Sequence, residues 1–424
     1  MQADTSRVDD FPPARRPLRV AIVTETYPPE VNGVAATIAR VVDGLRQRGH
    51  RLQLVRPRQD DPLAAPAAFE VLPSALPLDE VLLRGLPIPR YPQLKMGLPA
   101  RGALLRLWAA QRPDLVHLVT EGPLGWSALL AARKLGLPVV SDFRTNFHAY
   151  SAHYGVGWLR TPVMAYLRHF HNRTACTMVP TAALQRELAT AGFERLRVVA
   201  RGVDTRLFDP ARRSEALRAS WGATSETVVA LCVGRLAPEK NLGAVLAAAE
   251  AMAARLGSGV PGAAPRLRLV LVGDGPERAR LQQRCPDAVF AGLRHGDDLA
   301  AHYASADVFL FPSTTETFGN VVPEAMASGL AVLAYDHAAA GQLIHDGGNG
   351  QLVRLDDTAA FCSAAGRLAG APLRLRAMGL QARATAARLG WGHIVEAIER
   401  EYVSAMAGPE GALAGGSAPA LPWA

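Results

Sequence analysis

The stretch FPSTTETFGNVVPEAMASG, residues 311–329, shows the fold class of this chain most clearly. It leaves the apolar run Val308–Pro312, passes through a polar loop and continues into a helix. Asn320 can cap this helix, and Pro323 is tolerated in its first turn. Gly319 allows the backbone to approach a ligand closely. A strand, a loop and a helix in this order form one unit of a parallel α/β layer.

Such units recur along the whole chain. Short β-branched runs alternate with longer helix-like segments, a pattern typical of doubly wound parallel sheets. In the first half, strands are predicted at Leu18–Thr24, Leu52–Arg56, Leu115–Thr120, Pro138–Asp142, Thr177–Pro180 and Leu196–Ala200. In the second half, they are predicted at Thr227–Gly234, Leu267–Gly273, Val289–Ala291, Val308–Pro312, Ala331–Tyr335 and Gln351–Val353. The sequence therefore predicts an α/β protein with two Rossmann-like domains that face a central cleft.

The division of the chain follows from its composition. The segment between the two sets of strands is polar and contains Pro210, which is typical of a linker. Apolar residues recur at a helical spacing in Trp391–Met406, so a final helix is expected to cross back to the first domain. Both ends are rich in Ala, Gly, Pro and Ser, a composition typical of disorder. The predicted parts are a disordered N-terminus (1–16), a first domain (17–200), a linker (201–219), a second domain (220–389), the crossing helix (390–406) and a disordered tail (407–424).

The composition places the protein in the cytoplasm. With 424 residues and 49% hydrophobic residues, the chain can bury a core in each of two domains. It has no apolar run near the roughly 20 residues that a membrane span needs, and its first 17 residues do not resemble a signal peptide. The cysteines are widely spaced, suit a reducing compartment and offer no metal site; they are Cys176, Cys232, Cys285 and Cys362.

The basic excess lies entirely in the first half of the chain. Residues 1–200 contain 25 Lys and Arg against 16 Asp and Glu, and the rest contains 21 against 22. Residues 81–113 contain basic side chains and no acid, interleaved with leucines. This segment either lies on an anionic membrane at the inner face of the cell membrane or forms a core helix with a solvated basic face.

Two cations follow the first strand of the second half. Arg235 and Lys240 leave the end of a buried strand just before a helix. A guanidinium that can fork across two oxygens and an ammonium that acts as a point charge suit a diphosphate. The alternative is a pair of solvated charges at a helix start. Lysine is rare in this chain, which favours a functional role for Lys240.

Two carboxylates flank Gly319. Glu316 lies in the loop and Glu324 in the first turn of the following helix, so both can face the cleft. A carboxylate accepts hydrogen bonds from the vicinal hydroxyls that a ribose and a hexose both present. The alternative, two acids that complement a helix dipole, explains Glu324 but not the spacing of the pair.

Two loops in the first half complete the set of candidates. Asn32 and Gly33 form a strand-to-helix turn that can point backbone N–H groups at an anion, or can be an ordinary turn. Arg144 and His148 follow the fourth strand together with aromatic side chains, which suits a sugar pocket; a structural histidine is the alternative. The segment Leu271–Arg278 starts like a dinucleotide fingerprint but has Arg at the third glycine position, and the chain has no P-loop.

In their order and spacing these motifs resemble family 4 of the retaining GT-B glycosyltransferases. The nearest branch is similar to bacterial GDP-mannose-dependent mannosyltransferases, with the sulfolipid synthases as relatives. The resemblance implies a nucleotide-sugar donor in the second domain, an acceptor on the side of the first domain, and no cofactor or metal. It implies donor binding by Gly33, Arg235, Lys240, Gly319, Asn320, Val321 and Glu324. It places Glu316, Arg235, Lys240, Arg144 and His148 in the catalytic site, with Arg144 where relatives often have His.

The donor and the acceptor stay open at this point. The prediction is transfer of a hexose, mannose from GDP-mannose in the first instance, to a lipid or glycan acceptor. The alternatives are a hexosyltransferase that uses a UDP-sugar and a nucleotide-sugar epimerase on the same fold. Despite the net charge of +8, no nucleic-acid partner is expected, because the basic residues alternate with aliphatic rather than stacking aromatic side chains.

Overall fold

The computed structural model describes residues 16–30, 32–58, 69–72, 78–88, 91–144, 160–257 and 266–411. The first sheet has the strand order β10-β9-β8-β7-β1-β2-β4-β3, and all neighbours are parallel except β3 and β4. Its strands are β1 (Arg19–Val23), β2 (Arg51–Pro57), β3 (Phe69–Leu72), β4 (Leu78–Leu83), β7 (Leu115–Leu118), β8 (Val139–Asp142), β9 (Cys176–Val179) and β10 (Leu196–Val198). A separate antiparallel hairpin consists of β5 (Gly85–Ile88) and β6 (Tyr91–Gly97).

The second sheet is parallel throughout and has the order β13-β12-β11-β14-β15-β16. Its strands are β11 (Val228–Val233), β12 (Leu267–Val272), β13 (Val289–Gly292), β14 (Val308–Phe311), β15 (Ala331–Tyr335) and β16 (Gly350–Val353). The central strands β11 and β14 are almost fully buried, as expected for apolar runs that are covered on both faces. The two Rossmann-like sheets predicted from the sequence are therefore confirmed.

Helices cover both sheets. In the first half they are α1 (Gly33–Gln47), α2 (Arg101–Ala110), α3 (Pro123–Lys134), α4 (Arg160–His171) and α5 (Ala182–Thr190). In the second half they are α6 (Glu215–Ser220), α7 (Leu242–Leu256), α8 (Arg278–Arg284), α9 (Gly296–Ala304), α10 (Val321–Ala327), α11 (Ala338–Leu343), α12 (Thr358–Ala369), α13 (Pro372–Ala387) and α14 (Trp391–Gly411), the last broken at Gly408. None of the described helices is both long and apolar enough to span a bilayer.

Every strand predicted in the first half is present within one or two residues, but β3 to β6 were not predicted. The pattern that identifies buried strands fails there, because β4 carries Asp79 and Glu80 while Pro87 interrupts the hairpin. Residues 81–113 are thus a strand end, a hairpin and a helix. The segment does not form a single core helix. Only Arg101–Ala110 is a helix with a buried apolar face, whereas Leu86 in the described part of the hairpin is exposed.

The last helix packs on the first sheet although it follows the second in sequence. Val395 is buried against α1, where a Cβ added at Gly44 would lie 2.5 Å from a Val395 methyl group. Deeper in the sheet, the Tyr402 hydroxyl is 2.8 Å from His117 Nδ1. Glu399 pairs with His50 at 2.6 Å between Oε1 and Nε2. The carboxyl end of the chain therefore stabilises the first sheet.

The segment predicted as a linker, 201–219, is packed against the second sheet. Val203 and Phe208 belong to the hydrophobic core on one face of that sheet. Val203 also forms an isolated parallel bridge with Gly390. The segment between the two sheets is therefore fixed by the burial of its apolar side chains. The predicted disordered ends lie almost entirely outside the described residues.

Candidate functional site

The loops that follow β11 and β12 lie in direct backbone contact. Gly273 has a φ of +132°, and a Cβ there would lie 1.9 Å from the carbonyl oxygen of Gly234. A Cβ at Gly275 would lie 2.4 Å from the oxygen of Leu236. The two glycines that resemble part of a dinucleotide fingerprint thus let the loop after β12 pack directly on the loop after β11. The loop after β11 carries the two predicted cations, Arg235 and Lys240.

Each of those cations has a carboxylate partner. Arg235 donates to Glu239, a buried acid four residues later in the chain. Lys240 Nζ donates to Glu316 Oε1, so the structure joins two residues that the sequence singled out separately. The Lys240 ammonium also lies 5.7 Å from the centre of the Phe311 ring. The diphosphate candidates are therefore held in place by ion pairs at the carboxyl edge of the second sheet.

Glu316 and Glu324 both belong to this edge. The Ser313 hydroxyl donates to Glu316 Oε1 at 2.9 Å, which fixes the carboxylate beside Lys240. Glu324 Oε2 accepts a hydrogen bond of 3.0 Å from the hydroxyl of Tyr303, a buried residue of α9. Burial raises the pKa of Glu324 to about 7, although the Tyr303 bond opposes that rise. At neutral pH the Glu324 carboxyl thus changes between its charged and neutral forms.

The turn at Gly319 uses the backbone freedom of glycine, but Asn320 does not cap the helix that follows. Gly319 has a φ of +90°, which is accessible mainly to glycine. The expectation that Asn320 caps α10 is wrong: its φ and ψ are helical, and its side chain makes no cap bond. Its Oδ1 instead lies 3.4 Å from Arg201 Nη1. Val321 is half-buried at the first position of α10.

Gly33 approaches the same loop from the first sheet. A Cβ added at Gly33 would lie 3.7 Å from Asn320 Nδ2, so the two predicted donor-binding turns face each other. Asn32 caps α1, with its Oδ1 accepting from Val34 N at 3.1 Å and from Ala35 N at 2.8 Å. The Asn32 side chain therefore already accepts from two of the backbone N–H groups that were predicted to bind an anion.

Arg144 is anchored at the carboxyl edge of the first sheet. Its Nε donates to Asp142 Oδ2 at 2.5 Å, and His117 Nε2 lies 2.9 Å from the same oxygen. Burial alone would raise the pKa of Asp142, but the charges of Arg144 and His117 and their hydrogen bonds lower it to about 2. With Tyr402 behind His117, a buried chain of polar groups leads from the last helix to Arg144. His148 lies outside the described residues.

Sequence reasoning missed several residues of the site. Glu239 pairs with Arg235 four residues earlier, but these residues lie in a loop, so the spacing rule for helices gave no signal. Tyr303, Asp142 and His117 had no local signal, because each meets its partner only after the sheets form. Within the described residues, no group of three His, Cys, Asp or Glu side chains is placed to hold a metal ion.

Comparisons with known proteins identify the family of this chain. The model of Glycosyltransferase Family 4 matches residues 31–207, and that of Glycosyl transferases group 1 matches residues 227–370. The GDP-mannose-dependent alpha-mannosyltransferases of Mycobacterium tuberculosis and Mycolicibacterium smegmatis are each 38% identical to this chain. The first alignment covers 77% of this chain and 81% of the relative, and the second covers 80% and 85%.

A plant relative and a solved structure extend the comparison. A sulfoquinovosyl transferase of Arabidopsis thaliana is 31% identical over 75% of this chain and 60% of its own length. The structure of sucrose-phosphate synthase from Thermosynechococcus elongatus superposes with a TM-score of 0.71 at 19% identity, covering 92% of this chain and 99% of that one. With two facing Rossmann-like sheets and both family models matched in order, the chain belongs to glycosyltransferase family 4 and is a glycosyltransferase with the GT-B fold.

Proposed function

We propose that this enzyme transfers mannose from GDP-mannose to a hydroxyl group of a lipid or glycan acceptor, with retention of configuration and without a metal ion. The donor is supported by the two mycobacterial relatives, which carry that donor in their names and match this chain over most of their length. The acceptor class and the stereochemical course rest on the family resemblance and on the charges of the site.

The observation that carries the proposal is the contact between Lys240 and Glu316 at the carboxyl edge of the second sheet. A diphosphate that enters this edge replaces Glu316 as the partner of Lys240 and takes the guanidinium of Arg235 as well. Glu316 is then free to accept hydrogen bonds from the hydroxyl groups of the hexose. When Lys240 exchanges Glu316 for the diphosphate, the diphosphate is bound and Glu316 becomes available to the hexose.

The same two cations assist the chemical step. As the bond between the sugar C1 and the diphosphate breaks, negative charge develops on the leaving group, and Arg235 and Lys240 stabilise it. The acceptor hydroxyl attacks C1 from the face that the diphosphate leaves, and a phosphate oxygen takes the hydroxyl proton. The products are the glycosylated acceptor and a protonated nucleoside diphosphate. This course requires neither a protein nucleophile nor a metal ion.

Glu324 serves the nucleoside. Its carboxylate in the first turn of α10 accepts hydrogen bonds from the ribose hydroxyls, while Tyr303 holds the second oxygen. Because the pKa of Glu324 is about 7, donor binding favours its charged form and releases a proton from part of the population at neutral pH.

The test is a transfer assay in EDTA with labelled GDP-mannose and a membrane lipid extract, run beside UDP-glucose. The expected result is release of GDP together with a labelled lipid or glycan whose new linkage is α by NMR. If labelled product formed only from UDP-glucose, the proposed donor would be wrong and UDP-glucose would take its place. If the donor were converted to an epimer without release of GDP, the enzyme would be a nucleotide-sugar epimerase and not a glycosyltransferase.

A further inference from the structure

Arg201 reaches from the first sheet to the loop that carries Glu316. It lies just beyond β10, is only 8% exposed, and its Nη2 is 3.5 Å from the carbonyl oxygen of Arg144. Its Nη1 is 3.4 Å from Asn320 Oδ1, and its guanidinium lies 5.7 Å from the centre of the Phe318 ring. Such a distance is typical of a cation–π contact. The side chain therefore connects the carboxyl edges of the two sheets.

The backbone on which Arg201 is mounted is fixed. A Cβ added at the next residue, Gly202, would lie 2.6 Å from the Trp391 ring of α14. Val203 N donates to the carbonyl oxygen of Leu389 at 2.9 Å. Because the backbone is held here and the side chain is buried, the guanidinium has little freedom to move away from the ring.

The Phe318 ring that Arg201 contacts belongs to the loop of Glu316. Phe318 is buried, and its carbonyl oxygen accepts a hydrogen bond of 2.8 Å from Ala339 N. At the adjacent Gly319, an added Cβ would lie 3.7 Å from Glu316 Cδ. The Glu316 side chain thus folds onto the loop backbone beside Phe318, so a displacement of the ring also displaces the carboxylate.

Charge also relates Arg201 to Glu316. Burial, and the like charge of Arg144 after it, lowers the pKa of Arg201 to about 9, while the charges of Asp142 and Glu316 oppose that fall. Arg201 is therefore a cation at neutral pH. Asp142 belongs to the first sheet and already accepts from Arg144, so the attraction to Glu316 is the one that acts across the cleft.

We propose that Arg201 is a positioning residue for the transfer reaction: through Phe318 it holds the loop in the arrangement in which the Glu316 carboxylate reaches the hexose. This inference rests on the proposed function, since it uses the role given there to Glu316. Arg201 does not itself touch the donor. When the diphosphate takes Lys240 from Glu316, the loop loses one charged contact, and Arg201 continues to hold it. Arg201 thus affects turnover more than donor affinity.

The first test measures release of GDP from GDP-mannose with the membrane lipid extract, or into water if the extract supplies no acceptor. Arg201→Met keeps an unbranched apolar stem but removes the guanidinium. We expect kcat to fall about tenfold, since a small displacement of a positioned group slows a reaction strongly. The KM for GDP-mannose and the dissociation constant of GDP should change less than about threefold. Arg201→Lys should recover part of the loss, because an ammonium also binds an aromatic face.

Arg383→Met is the matched control for a purely structural role. Arg383 is a half-buried arginine of α13 that fixes the segment following Arg201. Its guanidinium donates to three carbonyl oxygens and one carboxylate, those of Thr205, Phe208, Ala327 and Asp209. Its replacement should lower the melting temperature and leave kcat unchanged. If Arg201 served only to hold the two sheets together, Arg201→Met would behave in the same way.

A double-mutant cycle with Glu316→Gln decides whether Arg201 acts through Glu316. If it does, Arg201→Met should lower kcat less than about threefold further in the Glu316→Gln protein, because the group that it positions is already altered. Phe318→Leu approaches the same contact from the other side, so the test does not depend on the folding of one variant. It should lower kcat by itself, and its effect should not add to that of Arg201→Met.

Three results would overturn the inference. A further loss of about tenfold in the Glu316→Gln protein would show that Arg201 acts independently of Glu316. An unchanged kcat with a lower melting temperature would leave Arg201 a structural role only. A loss of GDP affinity of about tenfold at unchanged kcat would assign it to donor binding. Wild-type turnover by Glu316→Gln alone, or no release of GDP by the wild-type protein, would instead count against the proposed function.

Discussion

The carboxyl edges of the two sheets carry their charges in different ways. At the second sheet, Lys240 pairs with Glu316, and Arg235 has Glu239. In these pairs the Arg235 side chain is 41% exposed and the Lys240 side chain 21%, whereas both acids are largely buried. At the first sheet, Asp142 is shared by Arg144 and His117, and the buried guanidinium of Arg201 lies 5.7 Å from the centre of the Phe318 ring. The cations of the second edge are therefore the more accessible to a ligand, whereas the charged groups of the first edge are buried.

The two edges also differ in how far apart in sequence their contacting residues lie. The charges of the second edge come from two loops, each read directly from a short motif. The charges of the first edge depend on contacts between distant parts of the chain, with His117 held by Tyr402 and Arg201 reaching Asn320. The charged groups of the second edge can thus be recognised from local sequence, while the contacts of the first edge can be identified only in the folded chain.

The largest expected effect separates the two edges. Replacing both Arg235 and Lys240 by alanine should lower the affinity for GDP and UDP at least about 100-fold, since each charge-assisted hydrogen bond contributes about 1.5–3 kcal/mol. Isothermal titration measures the loss. Arg280→Ala, an exposed arginine of the same domain, is the control. Unchanged affinity in the double variant would remove both residues from the diphosphate site.

The next effect distinguishes chemistry from binding at the second edge. Glu316→Gln keeps an oxygen that can accept from Lys240 and Ser313 but loses the charge. We expect kcat to fall about 100-fold, a magnitude typical of removing one stabilising group from a transition state. The dissociation constant for GDP should change less than about threefold. Turnover at the wild-type rate would show that Glu316 does not contact the transferred sugar.

A smaller effect tests the support of the first edge. Gly44→Ala places a methyl group against Val395 and should destabilise the protein by about 2 kcal/mol, because overpacked cores relax poorly. Gly102→Ala is the matched control: it lies in α2 with no close neighbour other than the end of the Arg106 side chain, and it should be neutral or stabilising. Chemical denaturation compares the two variants. Equal stability would mean that α14 is not tightly packed on α1.

The smallest effect concerns pH. Since the pKa of Glu324 is about 7, the carboxylate needed by the ribose is mostly present at pH 8 and mostly protonated at pH 6. GDP-mannose should therefore bind about tenfold more weakly at pH 6 than at pH 8. Glu324→Gln should bind weakly at both values, with no such slope. A slope that persists in Glu324→Gln would have to come from another group.

Much of the fold could be predicted because its signals are periodic. Apolar β-branched runs identified every strand of the second sheet to within a residue or two. The hairpin of β5 and β6 escaped because proline and charged residues break the alternation. The spacing of Glu316 and Glu324 around Gly319 drew attention to the loop after β14, where the structure pairs Glu316 with Lys240. The ion pair of Lys240 with Glu316 could not be predicted, since it depends on how two loops meet.

Asn320 and Arg201 show the limit most clearly. Asn320 has the residue type and position of a helix cap, yet its side chain faces Arg201 rather than its own helix. Arg201 looks like one of many arginines in a basic half, and only its burial distinguishes it. Local propensity thus gave the wrong role for one residue and no role for the other, because contacts across the cleft decide both.

The most direct test of the proposed donor site is a titration of the wild-type protein with GDP-mannose in EDTA, followed by GDP, UDP and ADP. We expect saturable binding of GDP-mannose and GDP without metal, and loss of both when Arg235 and Lys240 are replaced. Binding that appears only after a divalent cation is added would contradict the metal-free site. Binding of UDP or ADP in preference to GDP would contradict the donor.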